Sequence, residues 1–269
     1  LKKILIRSIE FITGQPKLFK LYRSYQERPE VWKSFWDGCI NLLKLKINIS
    51  NFDLDKIPAT GPAIIVANHP FGVLDGLVLS WLVSQKRDDF KLLVHSLLLR
   101  APETKGNLLP IDFTGDKKAL LTNLDTRKKA RKHISNGGCI IIFPSGTVST
   151  TLKFYQKKSK AYDCEWKKFT SRLIKQTDPE IVPINFPGTN SLAFQVLSHI
   201  SPVLRSSLLF FEIKRRINSE VKLFIGDSFK YSKLGTDLSN DELADMLRTK
   251  TYLLDQNYSS PPPYGLDPD

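Results

Sequence analysis

Cysteine is scarce in the 269-residue sequence: Cys39, Cys139 and Cys164 are widely spaced and odd in number. They suggest neither a disulfide framework nor a zinc cluster, and a reducing compartment suits them. Histidine is scarce as well. His95, His133 and His199 show no metal-ligand spacing with one another or with the cysteines, so no metal site is expected. Long apolar runs are missing. No stretch approaches the roughly 18 consecutive apolar residues that span a bilayer, and the first residues lack the apolar centre and small-residue cleavage site of a signal peptide. The chain is therefore expected to cross no membrane. The lack of an internal repeat argues against solenoids and propellers. None of the usual nucleic-acid motifs is present, although FYQKK at 154–158 interleaves aromatic and basic residues, so no nucleic-acid partner is expected.

Acidic residues are also in deficit. Forty Lys and Arg stand against 27 Asp and Glu, a formal charge of +13 that favours an anionic partner such as nucleic acid, an acidic protein or a membrane surface. A generally basic solvated surface gives the same count. With 41% hydrophobic residues the chain has enough apolar material for one large α/β domain carrying a helical appendage.

Residues 1–45 read as helices over 1–13, 17–25 and 31–43, broken at Gly14 to Pro16 and at Pro29. Their apolar residues, interspersed with Lys2, Lys3, Arg7, Lys17, Lys20 and Arg23, suit a helical pair lying in a lipid interface, or an ordinary pair packed on a domain. From residue 46 to 256 short apolar strands alternate with helical stretches, the mark of a mainly parallel central sheet flanked by helices. Strands are expected at 46–52, 62–67, 90–95, 108–113, 138–143 and 180–186, and helices at 75–86, 117–136, 165–177 and 240–254. Gly137 and Gly138 read as a helix stop rather than a phosphate loop. The runs 207–213 and 221–226 flank a basic turn and look like a closing hairpin. Residues 257–269 form a Pro-rich, extended tail.

In parallel sheets ligands bind beyond the carboxyl ends of the strands. Three strand ends here carry Pro, Gly and small polar residues: NHPFGVLDG at 68–76, FPSGTVS at 143–149 and VPINFPG at 182–188. On a continuous helix the spacing of His69 and Asp75 would leave them on different faces, about 9 Å apart along the axis. They meet only if the intervening chain is irregular, and Pro70 and Gly72 allow that. A histidine whose far nitrogen donates to a carboxylate is held in one tautomer and stabilised when protonated, the general-base half of a catalytic triad. The residues alone leave a second reading open, in which the histidine caps a helix and the aspartate bonds loop amides.

Together the three motifs, in this order and each at a strand end, resemble the glycerolipid and lysophospholipid acyltransferase superfamily over roughly residues 60–230, in its bacterial hemolysin-labelled branch with the pattern H-P-x-G-x-x-D. The resemblance implies acyl transfer from acyl-CoA or acyl carrier protein to a lyso-lipid, with no metal or bound cofactor. His69 is then the base and Asp75 its orienting acid. Phe143, Pro144, Ser145, Gly146 and Thr147 line the substrate site with backbone amides as oxyanion donors, and Asn68, Gly72, Pro187 and Gly188 complete the binding set. Basic residues 127–133 then suit an acidic carrier protein or an anionic membrane surface. The implied location is the cytoplasmic face of the bacterial inner membrane, peripheral or monotopic.

Three departures shape the expected acceptor. His and Asp are separated by five residues instead of the common four. Phe113 follows Ile111 and Asp112 where the family commonly has arginine, and Ser145 and Val148 replace a glutamate and an arginine. Two cationic groups that would hold a phosphate are missing, which disfavours lysophosphatidic acid and suits an amino-acid lipid of the ornithine or glycine type. Lys117, Lys118 and Arg100 are the residues that would compensate. Two alternatives remain: a serine hydrolase using Ser145, whose flanks Phe143 and Thr147 lack the glycines of a nucleophile elbow, and a non-catalytic basic membrane-binding module.

Overall fold

The computed structural model describes residues 14–95, 101–112, 115–153 and 160–267. The expected first helix, the 154–158 stretch, Arg100 and Phe113 lie outside the described residues. The central sheet has strands β1 Ala63–Ala67, β2 Phe90–His95, β3 Leu108–Ile111, β4 Cys139–Ile142, β5 Glu180–Asn185 and β6 Phe224–Ile225. In the order β6-β5-β1-β4-β2-β3, β1 to β5 run parallel and β6 is an antiparallel edge. The mainly parallel α/β fold read from the sequence is the one observed.

Helices α1 Gln15–Glu27, α2 Phe35–Leu42, α3 Val73–Ser84, α4 Lys117–Ser135, α5 Lys168–Thr177, α6 Leu192–Ser198, α7 Pro202–Ser207, α8 Leu209–Arg215 and α9 Asn240–Tyr252 surround the sheet. Ala63, Ile65 and Ala67 of β1 face a layer containing α2, α3 and α8. Ile64 and Val66 face the layer of α4, α5 and α9. A strand covered on both sides has no solvent face, which is why AIIVA and CIII are apolar without alternation. At roughly 1.5–3 kcal/mol per fully buried aliphatic side chain, these layers, rather than the two-residue ladders at the periphery, hold the domain together.

Helix α1 packs on the domain: Tyr25 meets Phe35 edge-on with ring centroids 5.3 Å apart, and the Tyr22 hydroxyl donates to Glu103 at 3.0 Å. No described helix is long and apolar enough to cross a membrane. Helix α4 stops where the glycines stand, with Gly137 at φ 89° and the Gly138 amide bonded to the His133 carbonyl. All three cysteines are free, and burial pushes each thiol up to about 12.

Two expected strands are corrected. The 46–52 run keeps strand form only at Lys46–Ile47, which pairs with Glu220–Val221 outside the central sheet. Ser50 then caps a helical turn by accepting from the Asp53 amide. The 207–213 run is not half of a hairpin but lies largely in α8, because its apolar residues fit a helix as well as a strand and a run this short does not separate the two. Tertiary bonds favour the helix: buried Glu212 accepts from the Ser191 amide and hydroxyl and pairs with Arg215 at 3.1 Å. Its supposed partner supplies β6 and the short ladder at 220–221.

The tail has neither helix nor strand up to residue 267, but it is strapped to the domain. Arg248 donates to the Pro262 and Pro263 carbonyls, the Gly265 amide to the Asp163 carbonyl, and the Thr150 hydroxyl to the Leu266 carbonyl.

Candidate active site

Beyond β1 the chain cannot continue straight into α3. Gly72, the residue before the helix, has φ 70° and ψ −125°, a conformation open to glycine, and an added Cβ would stand 2.9 Å from Leu209. The kink brings Asp75, in the first turn of α3, back toward His69. One carboxylate oxygen accepts the His69 Nδ1 proton at 3.0 Å and the Phe71 and Gly72 amides at 2.8 and 3.1 Å. With Nδ1 protonated, Nε2 is the acceptor nitrogen. The ring stacks on Phe143 with centroids 4.0 Å apart and remains 17% exposed.

Asp75 is fully buried, and burial pushes its carboxyl above the ordinary carboxylate range. The bonds from His69 and Phe71 and the positive charge of Arg216 oppose that rise. The Arg216 guanidinium lies 3.6 Å over the Phe71 ring and donates to the Thr189 carbonyl at 2.9 Å, bracing the first motif against the third. Gly188 stands against the tip of the same ring. With φ 137° and an added Cβ 2.5 Å from Phe71, it too has no room for a side chain.

A second buried acid, missed by sequence reasoning, anchors the histidine's backbone. Asp163 accepts from the His69 amide at 3.1 Å, the Ser149 hydroxyl at 2.5 Å and the Trp166 indole at 2.8 Å. The His69 carbonyl in turn accepts from the Ser149 amide at 2.8 Å. Burial raises the Asp163 carboxyl as well, opposed by these donors. The signal was an acid within the otherwise largely apolar AYDCEW stretch at 161–166.

The remaining sequence-derived residues separate into two groups. His69, Gly72, Phe143, Pro144, Gly146 and Thr147 line one cavity of about 920 Å³. Asn68, Asp75, Ser145, Pro187 and Gly188 stand behind it. Asn68 exchanges two bonds with the Phe186 backbone, at 2.9 and 2.7 Å, and so ties the first and third motifs together. Ser145 is fully buried, and its hydroxyl donates to the Thr147 carbonyl at 2.8 Å, which does not suit a nucleophile beside His69. The Gly146 amide is taken by the Phe143 carbonyl. The Thr147 amide has no acceptor among the described residues.

Where the 143–149 motif lacks an arginine, one arrives from α7. Buried Arg205 lines the cavity and donates to the Thr147 hydroxyl and, at 3.0 Å, to the Val148 carbonyl. Deeper in, the walls are apolar, with Trp36, Leu77, Leu92 and Leu108 among them. Asn123 and Arg127 of α4 and Lys167 flank the opening.

Fold and site thus define an α/β domain with a hydrogen-bonded histidine–aspartate pair at its strand ends, beside a pocket with a largely apolar interior. The chain belongs to the acyltransferase family, whose model, described as Acyltransferase, matches residues 48–186, more than half of its length. It is similar to a lyso-glycine lipid O-acyltransferase of Phocaeicola vulgatus, 29% identical over 177 residues, which cover 65% of this chain and 59% of the relative. A second, from Bacteroides thetaiotaomicron, is 26% identical over 180 residues, 66% of this chain and 62% of the relative. The chain therefore spans about three fifths of the length of these relatives. In fold it is similar to the crystal structure of the 1-acyl-sn-glycerophosphate acyltransferase PlsC of Thermotoga maritima, with a TM-score of 0.51, 14% identity, and coverage of 96% of this chain and 98% of that one.

Proposed function

We propose that this chain transfers a fatty acyl group from a thioester, acyl-CoA or acyl carrier protein, to the hydroxyl of a lyso-lipid of the amino-acid class, working at the cytoplasmic face of the bacterial inner membrane. The observation that carries the reading is the His69–Asp75 pair, 3.0 Å apart and opening into a pocket that can take an acyl chain. The acceptor oxygen attacks the thioester carbonyl while His69 Nε2 takes its proton. The tetrahedral oxyanion rests against the Thr147 amide. Collapse expels the thiolate, which takes the proton from the imidazolium, leaving an ester and a free thiol. Every reacting group comes from the two substrates or from His69, so the balance calls for no metal or bound cofactor.

The relatives' names point to a glycine lipid as acceptor. A glycine acylated on its amine presents one carboxylate, a single planar anion suited to one arginine, here Arg205. The test is a transfer assay with labelled acyl-CoA or acyl carrier protein. Ester formation on lyso-glycine lipid is expected to exceed that on lysophosphatidate by about tenfold or more, the worth of one charged hydrogen bond. His69→Ala should abolish it without lowering Tm. Equal rates on both acceptors would overturn the acceptor assignment, and turnover retained in His69→Ala would overturn the mechanism.

A further inference from the structure

The opening of the cavity is bordered by apolar side chains that the fold leaves uncovered. Helix α4 turns Ala119, Thr126, Ala130 and Ile134 into the domain, and on its opposite side carries Leu120, Leu121 and Leu124, from 50 to 60% exposed. A helix with one face packed on a core ordinarily presents polar residues on the other. Across the opening, α7 exposes Val203 at 77% and Leu204 at 45%. Both borders belong to one cavity: Asn123, Thr126 and Arg127 line it from α4, and Pro202, Val203 and Ser206 from α7.

The charge around these residues is mainly positive. Lys117, Lys118 and Lys128 flank the α4 leucines in the helical projection, and Arg127 and Lys167 stand at the opening itself. The acids nearby are engaged: Asp116 caps α4 through the Ala119 amide at 2.7 Å, and Asp125 pairs with Lys129 at 2.6 Å. Apolar side chains ringed by lysine and arginine are what an anionic bilayer surface accepts, tails meeting the leucines and head groups the cations.

We propose that the cavity rim formed by the start of α4 and by α7 is the membrane-docking face of this protein, seated on an anionic bilayer so that the cavity opens directly into it. The orientation rests on the proposed lipid function, since a lyso-lipid and a long acyl chain then reach His69 without leaving an apolar environment. Docking itself is measured apart from turnover, so its failure and the failure of the catalytic reading are distinct.

The experiment is co-sedimentation of the full chain with phosphatidylcholine vesicles, with and without phosphatidylglycerol. The wild type should bind the phosphatidylglycerol vesicles, more weakly as salt rises. Leu120→Ser/Leu121→Ser/Leu124→Ser and Val203→Ser/Leu204→Ser should each weaken binding by about tenfold with unchanged circular dichroism and thermal melting. Phe52→Ser is the control, since Phe52 is 74% exposed but belongs to neither rim helix, lying beside Lys56, which bonds the Ile225 carbonyl of edge strand β6; it should bind as wild type does. Rim variants that bind like wild type, while removal of residues 1–28 abolishes binding, would overturn the proposal in favour of the N-terminal segment. A wild-type dimer in sedimentation velocity that the rim variants convert to monomer, with no vesicle binding, would assign the rim to a second copy of the chain and overturn it as well.

Discussion

The loop from Asn68 to Asp75 and the segment from Ser191 to Arg216 meet beside one cavity, Leu209 close to Gly72 and Arg216 over Phe71, yet their side chains are fixed in different ways. In the first, the His69 and Asp75 side chains are set by short-range bonds, three donors converging on one Asp75 oxygen from within six residues of it, while the His69 amide is tied to Asp163 and the Asn68 side chain to Phe186. The second is held from afar. Buried Gln195 accepts from the Thr151 amide at 2.9 Å, Arg205 reaches Thr147 and Val148, and Arg216 reaches Thr189. A base that must present one nitrogen is best fixed locally, whereas a wall that shapes a substrate site is set by what it packs against.

The largest break in this comparison is expected from Asp75→Asn, which leaves the loop but frees the ring. Turnover should fall on the order of a thousandfold, while the fold survives. Stability should respond in a direction set by the raised native pKa. Such a carboxyl binds its proton more tightly folded than unfolded, so its contribution is fully favourable below its unfolded value, about 4, and is lost as pH rises through its higher native value. Asparagine has no such dependence. Melting curves between about pH 4 and pH 7 should therefore show the Tm of the variant gaining on wild type as pH rises.

On the opposite wall, Glu212→Ala should cost about 1–2 kcal/mol in urea denaturation, because it strips the acceptor from the Ser191 amide and hydroxyl. Its effect on transfer should appear in KM before kcat, the reverse of Asp75→Asn. The smallest change is Ser201→Ala at the start of α7. Loss of the cap to the Leu204 amide should cost about 1 kcal/mol and loosen the α7 rim, and hydrogen exchange should report faster opening of residues 202–207.

The same contrast explains what the sequence made legible. The central strands β1 and β4 are continuous apolar runs followed by Asn68 and by Phe143-Pro144, and the first motif announces its own kink through Pro70 and Gly72. The His69–Asp75 contact could be anticipated because both partners and the residues that bend the chain between them sit in one short stretch. Asp163 and Arg216 could not, for they reach His69 and Phe71 only through tertiary packing. The 207–213 run misled because four successive apolar residues carry no period, and what decides in favour of helix is the bond of Glu212 to Ser191, twenty-one residues away. The pair Ser201-Pro202, a cap followed by a proline at the first helical position, was the signal for α7. Asn68, assigned to the substrate from its place in the motif, instead finds its partner in Phe186.

On the proposed mechanism the donor is an activated acyl thioester, for which any ionised thiol nearby would be a competing acceptor by simple exchange. Cys39, Cys139 and Cys164 sit at about 12, so essentially none is thiolate at neutral pH. The chain thus offers such a donor no ionised sulfur of its own, which on that proposal leaves the acceptor hydroxyl beside His69 as the outlet for the acyl group.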